Sequence, residues 1–304
     1  MQEEHDCFFF IADIHSLTTH PIPGDLHANV HQVLAEHLAM GVDPEKCALF
    51  VQSDVPAISE LYTYMNMNAY MGELERSTSF KDKIRSQKEN VNAGLLTYPV
   101  LMAVDILVHH AEMVPVGKDQ QQHLEMTRTF ANRFNHMYGK DYFKEPQAYS
   151  GGGDLVKVPG LTAQGKMSKS SGDADTIKFD EEEKGLRKKI MRAVTDNGST
   201  EPGQPKSEGL QNLFDIMQLV SEPSTIAHFD ALHRDATIRY GDLKKQLAED
   251  VLTFVSPIRE KIEHFKKDTA ALAKAAKIGA EKANDSAEKT LKEVRELIGF
   301  RKFY

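Results

Sequence analysis

The chain has 304 residues, 40% apolar and 27% charged, enough to bury a substantial core as one large or two ordinary globular domains. A net charge of −8 excludes a basic coat for nucleic acid, though a local basic face can still hold phosphate. The two cysteines, Cys7 and Cys47, exclude a disulfide framework and a cysteine zinc site, and neither a membrane-length apolar run nor a signal-peptide pattern is present, so a cytoplasmic protein with no membrane partner is expected.

Residues 7–14, ending at Asp13 and Ile14, form an apolar run of the kind that makes a parallel strand buried on both faces. Pro21, Pro23 and Gly24 break the chain before a helix over about 25–40, whose apolar face holds Leu26, Val30, Val33, Leu34 and Leu38 and whose end is marked by Gly41. Residues 48–53 are the next buried strand, which makes a βαβ unit. The spacing predicts a helix over 58–71 and a polar, basic stretch over 80–90 with Lys81, Lys83, Arg85 and Lys88, a solvated face or an RNA contact. A buried helix follows over 95–108, with Pro99 near its start, then a short strand at 114–117 and a helix over 119–134. Residues 147–165 read as loop and short strands, with Gly151, Gly152 and Gly153 as punctuation. Helices are expected over 181–194, 207–220, 222–233, 242–265 and 269–298, with little strand signal. The fold class expected is α/β, a Rossmann-like doubly wound parallel sheet over residues 1–178 with an all-helical domain over 179–304.

Three stretches carry chemistry. In Gly165-Lys166-Met167-Ser168-Lys169-Ser170-Ser171-Gly172, two lysines sit among small hydroxyl residues between glycines. Lysine grips phosphate oxygens as a point charge, serines add donors, and glycines free the backbone, so the loop could hold a triphosphate as its anhydride bond breaks. In Gly117-Lys118-Asp119-Gln120, Gly117 lets the backbone approach a ligand and Asp119 can accept ribose hydroxyls at a helix start; Asp119 and His123 also have metal-pair spacing, with no third ligand indicated. Asp105 lies in the apolar run 101–107, where a carboxylate is costly without a donor. It either pairs within the structure or floors a ligand pocket walled by Tyr98, Met102, Val114 and Val116, accepting a ring N–H and rejecting a ligand without one.

Lys166 to Ser170 is the second signature of class I aminoacyl-tRNA synthetases, and the likeness extends further. The strings at 8–18, 70–76, 94–105, 114–128, 189–196 and 279–284 resemble bacterial tryptophanyl-tRNA synthetases nearly end to end. The resemblance implies that Asp105 takes the indole N–H of tryptophan, that Gln120 and Tyr98 orient its amino-acid end, and that His15 borders the pocket. It implies ATP contacts at Gly117, Lys118, Asp119, Val158, Lys166, Met167, Ser168, Lys169 and Ser170, with Lys166, Lys169 and Ser168 catalytic and Mg2+ escorting the phosphates. The activity implied is ATP-dependent formation of tryptophanyl-adenylate and transfer to tRNA(Trp), by a homodimer whose helical domain binds the anticodon.

Class I enzymes also carry a first signature, Pro-x-Gly-x-x-His-x-Gly-His/Asn. The segment 21–29 imitates it, but Ala28 stands where glycine is expected and residues 8–18 align with the family's second strand. The true signature is therefore expected before Met1, with weak activation by the chain as it stands. Two other readings remain open at this point: a non-activating remnant that binds tryptophan or a partner protein, and a tyrosyl-tRNA synthetase.

Overall fold

The computed structural model describes residues 1–86, 89–117, 120–149, 157–162, 165–167, 172–198 and 201–303. Lys118, Asp119, Gly151 to Gly153, Ser168, Lys169 and Ser170 lie outside the described residues. Two compact units divide the chain, Met1–Asp154 with Asp268–Tyr304, and Leu155–Lys267.

The first unit opens as the βαβ pattern requires. Strand β1 (Phe8–Ile11) pairs parallel to β2 (Ala48–Val51), Phe8 opposite Ala48 and Ile11 opposite Val51. The short helix α1 (Asp13–Ser16) follows β1, and α2 (Pro23–Ala39) makes the crossover. Pro23 stands at the helix start, where its missing N–H costs nothing, and His27 is already in the second turn. All of β2 is buried, whereas Phe8, Phe9 and Phe10 are half-buried, less than the sequence leads one to expect. β1 is bonded to β2 alone among the described strands, so one of its edges has no strand partner there.

Helices α3 (Pro56–Asn68), α4 (Met71–Arg76), α5 (Thr78–Ser86), α6 (Ala93–Leu107) and α7 (Gln121–Tyr138) complete the layer, with a second parallel pair, β3 (Met113–Val114) and β4 (Gln147–Ala148). Pro99 sits in the second turn of α6 rather than at its start, so no N–H of residue 99 bonds the carbonyl of Leu95. Phe50, Ile58, Leu61, Met65, Val104 and Phe130 meet in the core.

The last helix, α12 (Thr269–Ile298), belongs to this unit and not to the helical one. Its Ala283, Ala287, Leu291 and Val294 recur at helical spacing and enter the same core. Gly279 meets β2 backbone to backbone: a Cβ there would fall well under 3.0 Å from the carbonyl of Leu49. Lys282 Nζ donates to the carbonyls of Pro44, Glu45 and Cys47 at 2.6, 2.8 and 3.3 Å, and Asn284 Nδ2 to that of Asp54 at 2.9 Å. This corrects the boundary drawn from composition at 178/179. A face of glycine and alanine packs close to a sheet while its lysines keep the helix polar in bulk.

His109 follows α6 and is stacked on Phe8 at 4.3 Å, with its Nδ1 3.2 Å from Ser286 Oγ of α12 and its Nε2 buried without a hydrogen-bond partner among the described residues. Burial, then the charge of His110, pushes its pKa down to about 4. A histidine lowered from 6.5 favours the neutral form, so its contribution to stability is complete above pH 6.5 and is lost as pH falls toward 4. We expect urea midpoints to drop across that window, by up to about 3 kcal/mol in stability, and the drop to shrink in His109→Phe. Parallel losses in parent and variant would clear His109 of that role.

The second unit contains α8 (Glu183–Met191), α9 (Glu208–Val220), α10 (Pro223–Arg234) and α11 (Tyr240–Lys267). Leu186 and Ile190 pack with Leu213, Phe214, Leu247 and Val251. Leu161 lies in this core and Met167, Ile177 and Phe179 against it, so the loop-rich stretch before residue 178 folds with these helices.

Candidate functional site

Asp105 lies on the face of α6 that also carries Tyr98 and Met102, seven and three residues earlier. Its carboxyl is buried and paired from two other elements. His15 of α1 places Nε2 at 2.8 Å from Oδ2, and Gln52, one residue past β2, donates Nε2 to Oδ1 at 2.7 Å. The backbone N–H of His15 donates to Gln52 Oε1 at 3.4 Å, which closes a ring of three residues from three elements. Burial pushes the Asp105 carboxyl up, and the hydrogen bonds from His15 and Gln52 pull against that.

Of the two expectations for this acid, the pairing within the structure is present. Each carboxylate oxygen has two lone pairs and each is engaged once, so each oxygen keeps the capacity to accept a further hydrogen bond. The penalty for a ligand without an N–H is then the loss of one charged hydrogen bond, not the exposure of an unpaired charge.

Tyr98 caps the cluster. Its ring lies 4.5 Å from that of His15 and 5.9 Å from that of His123, with Lys83 Nζ 3.8 Å from the ring centroid. Burial, and then Asp105, pushes the Tyr98 hydroxyl up. Lys83 comes from α5 and is half-buried against Tyr98, while Lys81 and Arg85 of the basic stretch at 80–90 are exposed. His123, of the expected metal-pair spacing, is buried on α7 with Nδ1 2.7 Å from Gln120 Oε1. That contact sets the Gln120 amide at the start of α7, next to the described end of the Gly117 turn. Val114 and Val116 are half-buried beside it in sequence.

Gln52 was not among the residues expected. The available signal was a polar side chain at the carboxyl end of a buried parallel strand, where α/β folds place their ligands.

In the second unit, Val158 and Met167 are joined, the amide of Met167 donating to the carbonyl of Val158 at 2.8 Å, and Lys166 bridges Pro159. Lys166 is exposed, with Gly165 and Gly172 at φ +95° and +96°, as the glycine-flanked pattern requires. The side chain of Met167 turns into the helical core, where the amide of Ile177 lies 3.3 Å from its sulfur. It anchors this segment to the helices of the second unit.

Residues 1–256 match the family of tRNA synthetases class I (W and Y). The chain belongs to that family. Among related class I synthetases, a tryptophan–tRNA ligase of Porphyromonas gingivalis is 55% identical over 301 residues, 99% of this chain and 91% of that protein. One of Clostridium tetani is 39% identical, across 99% and 88%. The tryptophanyl-tRNA synthetase of Campylobacter jejuni, solved with ADP and tryptophan, superposes with a TM-score of 0.87 at 35% identity, covering 98% of this chain and 91% of that one. Membership in the class I synthetases accounts for the parallel sheet and for the lysine signature at 166–170, which the bare spacing had left ambiguous.

Proposed function

We propose that this synthetase is a tryptophan–tRNA ligase. The carboxylate of tryptophan attacks the α-phosphorus of ATP, one P–O bond forms, the bond to the β-phosphate bridge breaks, and pyrophosphate leaves. The ribose hydroxyl at the tRNA(Trp) terminus then attacks the adenylate carbonyl and expels AMP. The observation that carries the tryptophan reading is the buried Asp105 carboxyl, steered by His15 and Gln52 beneath Tyr98, with capacity for one more N–H. Tyr98, Met102, Val114 and Val116 wall the indole, and Gln120 orients the amino-acid end.

Catalysis of this kind is positioning plus stabilisation of charge on the leaving pyrophosphate. Lys166, Ser168 and Lys169 supply the latter; Gly117, Lys118, Asp119, Val158, Met167 and Ser170 complete the ATP contacts. Among the described residues, no group of three or more His, Cys, Asp or Glu side chains could hold a metal ion. Magnesium enters the proposal as MgATP, the substrate. A homodimer, anticodon binding by the helical unit and a cytoplasmic setting complete the reading; among the described residues, no helix is long and apolar enough to cross a membrane.

Tryptophan-dependent ATP–pyrophosphate exchange tests the proposal, with tyrosine as the comparison. Exchange with tryptophan and not tyrosine is expected. Tyrosine turnover would reassign the substrate, and tryptophan binding without any exchange would leave a non-activating binder. In the same assay Lys169→Ala is expected to lower the exchange rate about 10²- to 10³-fold while tryptophan affinity changes little. Equal losses in rate and affinity would remove the lysine from its assigned role.

A further inference from the structure

Residues 158–160 and 165–167 form a ribbon of two short antiparallel segments, held by two backbone bonds. The amide of Gly160 donates to Gly165 at 3.0 Å and that of Met167 to Val158 at 2.8 Å. A two-stranded ribbon is marginal alone, so its direction depends on what grips it from outside.

Asp175 grips it at both ends. The residue is fully buried. Its Oδ1 accepts from the amide of Thr162 at 2.7 Å and from Thr162 Oγ1 at 2.6 Å, and its carbonyl accepts from the amide of Leu161 at 3.3 Å. On the far side of the loop, the amide of Asp175 donates to the carbonyl of Gly172 at 3.2 Å. One residue thus ties the segment that enters the loop to the segment that leaves it.

The fit leaves no slack. A Cβ on Gly160 would fall well under 3.0 Å from both carboxyl oxygens, so the acid occupies the space a side chain at 160 would fill. Further anchors act on the entering segment: Val194 donates its amide to Leu161 at 2.9 Å, and Asn212 Nδ2 donates to Gly160 at 3.3 Å. Asp175 Oδ2 is buried without a hydrogen-bond partner among the described residues. A buried carboxyl with one orphaned oxygen is a poor way to gain stability, and such groups in folded proteins point to another use.

We infer that Asp175 is a positioning residue of the synthetase reaction: it sets the direction of the ribbon that carries Lys166, and so the aim of that lysine on the leaving phosphates. The inference rests on the ligase reading for its catalytic consequence, but the clamp itself is independent of it. A lysine displaced by about 1 Å loses on the order of 10²-fold in rate while substrate held by other residues still binds.

The test has a kinetic and a structural arm. In tryptophan-dependent exchange, Asp175→Ala is expected to lower kcat at least about 10-fold with the KM for tryptophan within about twofold. Asp175→Asn, which keeps an acceptor for Thr162, is expected to recover most of the rate. Thr162→Val, a smaller change in case the alanine variant fails to fold, is expected to shift kcat in the same direction by less. In amide hydrogen exchange, Asp175→Ala is expected to speed exchange at Thr162 and Met167 while α11 stays protected. A full rate in the alanine variant, joint loss of kcat and tryptophan affinity, or unchanged protection at Thr162 would overturn the inference. If the parent chain shows no exchange at all, the ligase reading fails, and the amide measurement still decides the clamp.

Discussion

Asp105→Ala is expected to lower kcat/KM for tryptophan by about 10- to 10²-fold or more and to destabilise the first unit at the same time. In the proposed role the first effect follows from the loss of one charged hydrogen bond to the ring N–H, about 1.5–3 kcal/mol, where each 1.4 kcal/mol is tenfold. The second follows from what the alanine leaves behind. His15 Nε2 and Gln52 Nε2 would both lose their buried acceptor, and a buried polar group without a partner costs about 1–3 kcal/mol. Asp105→Asn, which keeps one acceptor oxygen, is expected to fall between parent and alanine variant in both readouts. Exchange kinetics and urea midpoints measured on the same preparations check this. Stability loss with unchanged tryptophan kinetics would make Asp105 a structural acid only.

Gly279→Ala is expected to have the largest effect on folding. The added methyl would press on the carbonyl of Leu49, in the middle of buried β2, and neither helix nor strand has a flexible end to move aside. Overpacking a core side chain costs about 1–3 kcal/mol, and a clash between two backbones exceeds that range. We expect the variant to lose β2–α12 packing, seen as a fall in thermal midpoint of about 10 °C or more or as insoluble protein. Gly24, at the start of α2 with open space around its Cβ position, is the control: Gly24→Ala is expected to change the midpoint little. Equal midpoints for the two variants would contradict the packing described for α12.

Much of this was legible in the chain because it depends on local pattern. The apolar run at 7–14, a helix and the run at 48–53 foretell β1, α2 and β2, since each carries its own period. Asp105 stood out because a carboxylate in an apolar helix needs an explanation wherever the helix ends up. What was not legible depends on partners distant in sequence. Gln52 reads as an unremarkable strand end until α1 and α6 meet at it, and Asp175 as one more loop acid until Thr162 folds back on it. The place of α12 was hidden for a different reason. Its packing face is Gly279, Ala283 and Ala287, residues that add little to any hydrophobic count, yet they allow the close approach to β2. The likeness of the 279–284 string to the synthetases is explained by the same contacts, with Lys282 capping three carbonyls before β2.

The account turns on the ring N–H as the feature that Asp105 reads, and a titration measures that directly. Calorimetric binding of tryptophan should be compared with binding of its analogue in which sulfur replaces the indole nitrogen, a change that removes the donor and little else. The structure predicts a preference for tryptophan of about 10- to 10²-fold, which collapses in Asp105→Ala. Equal affinities for the two ligands in the parent chain would contradict it.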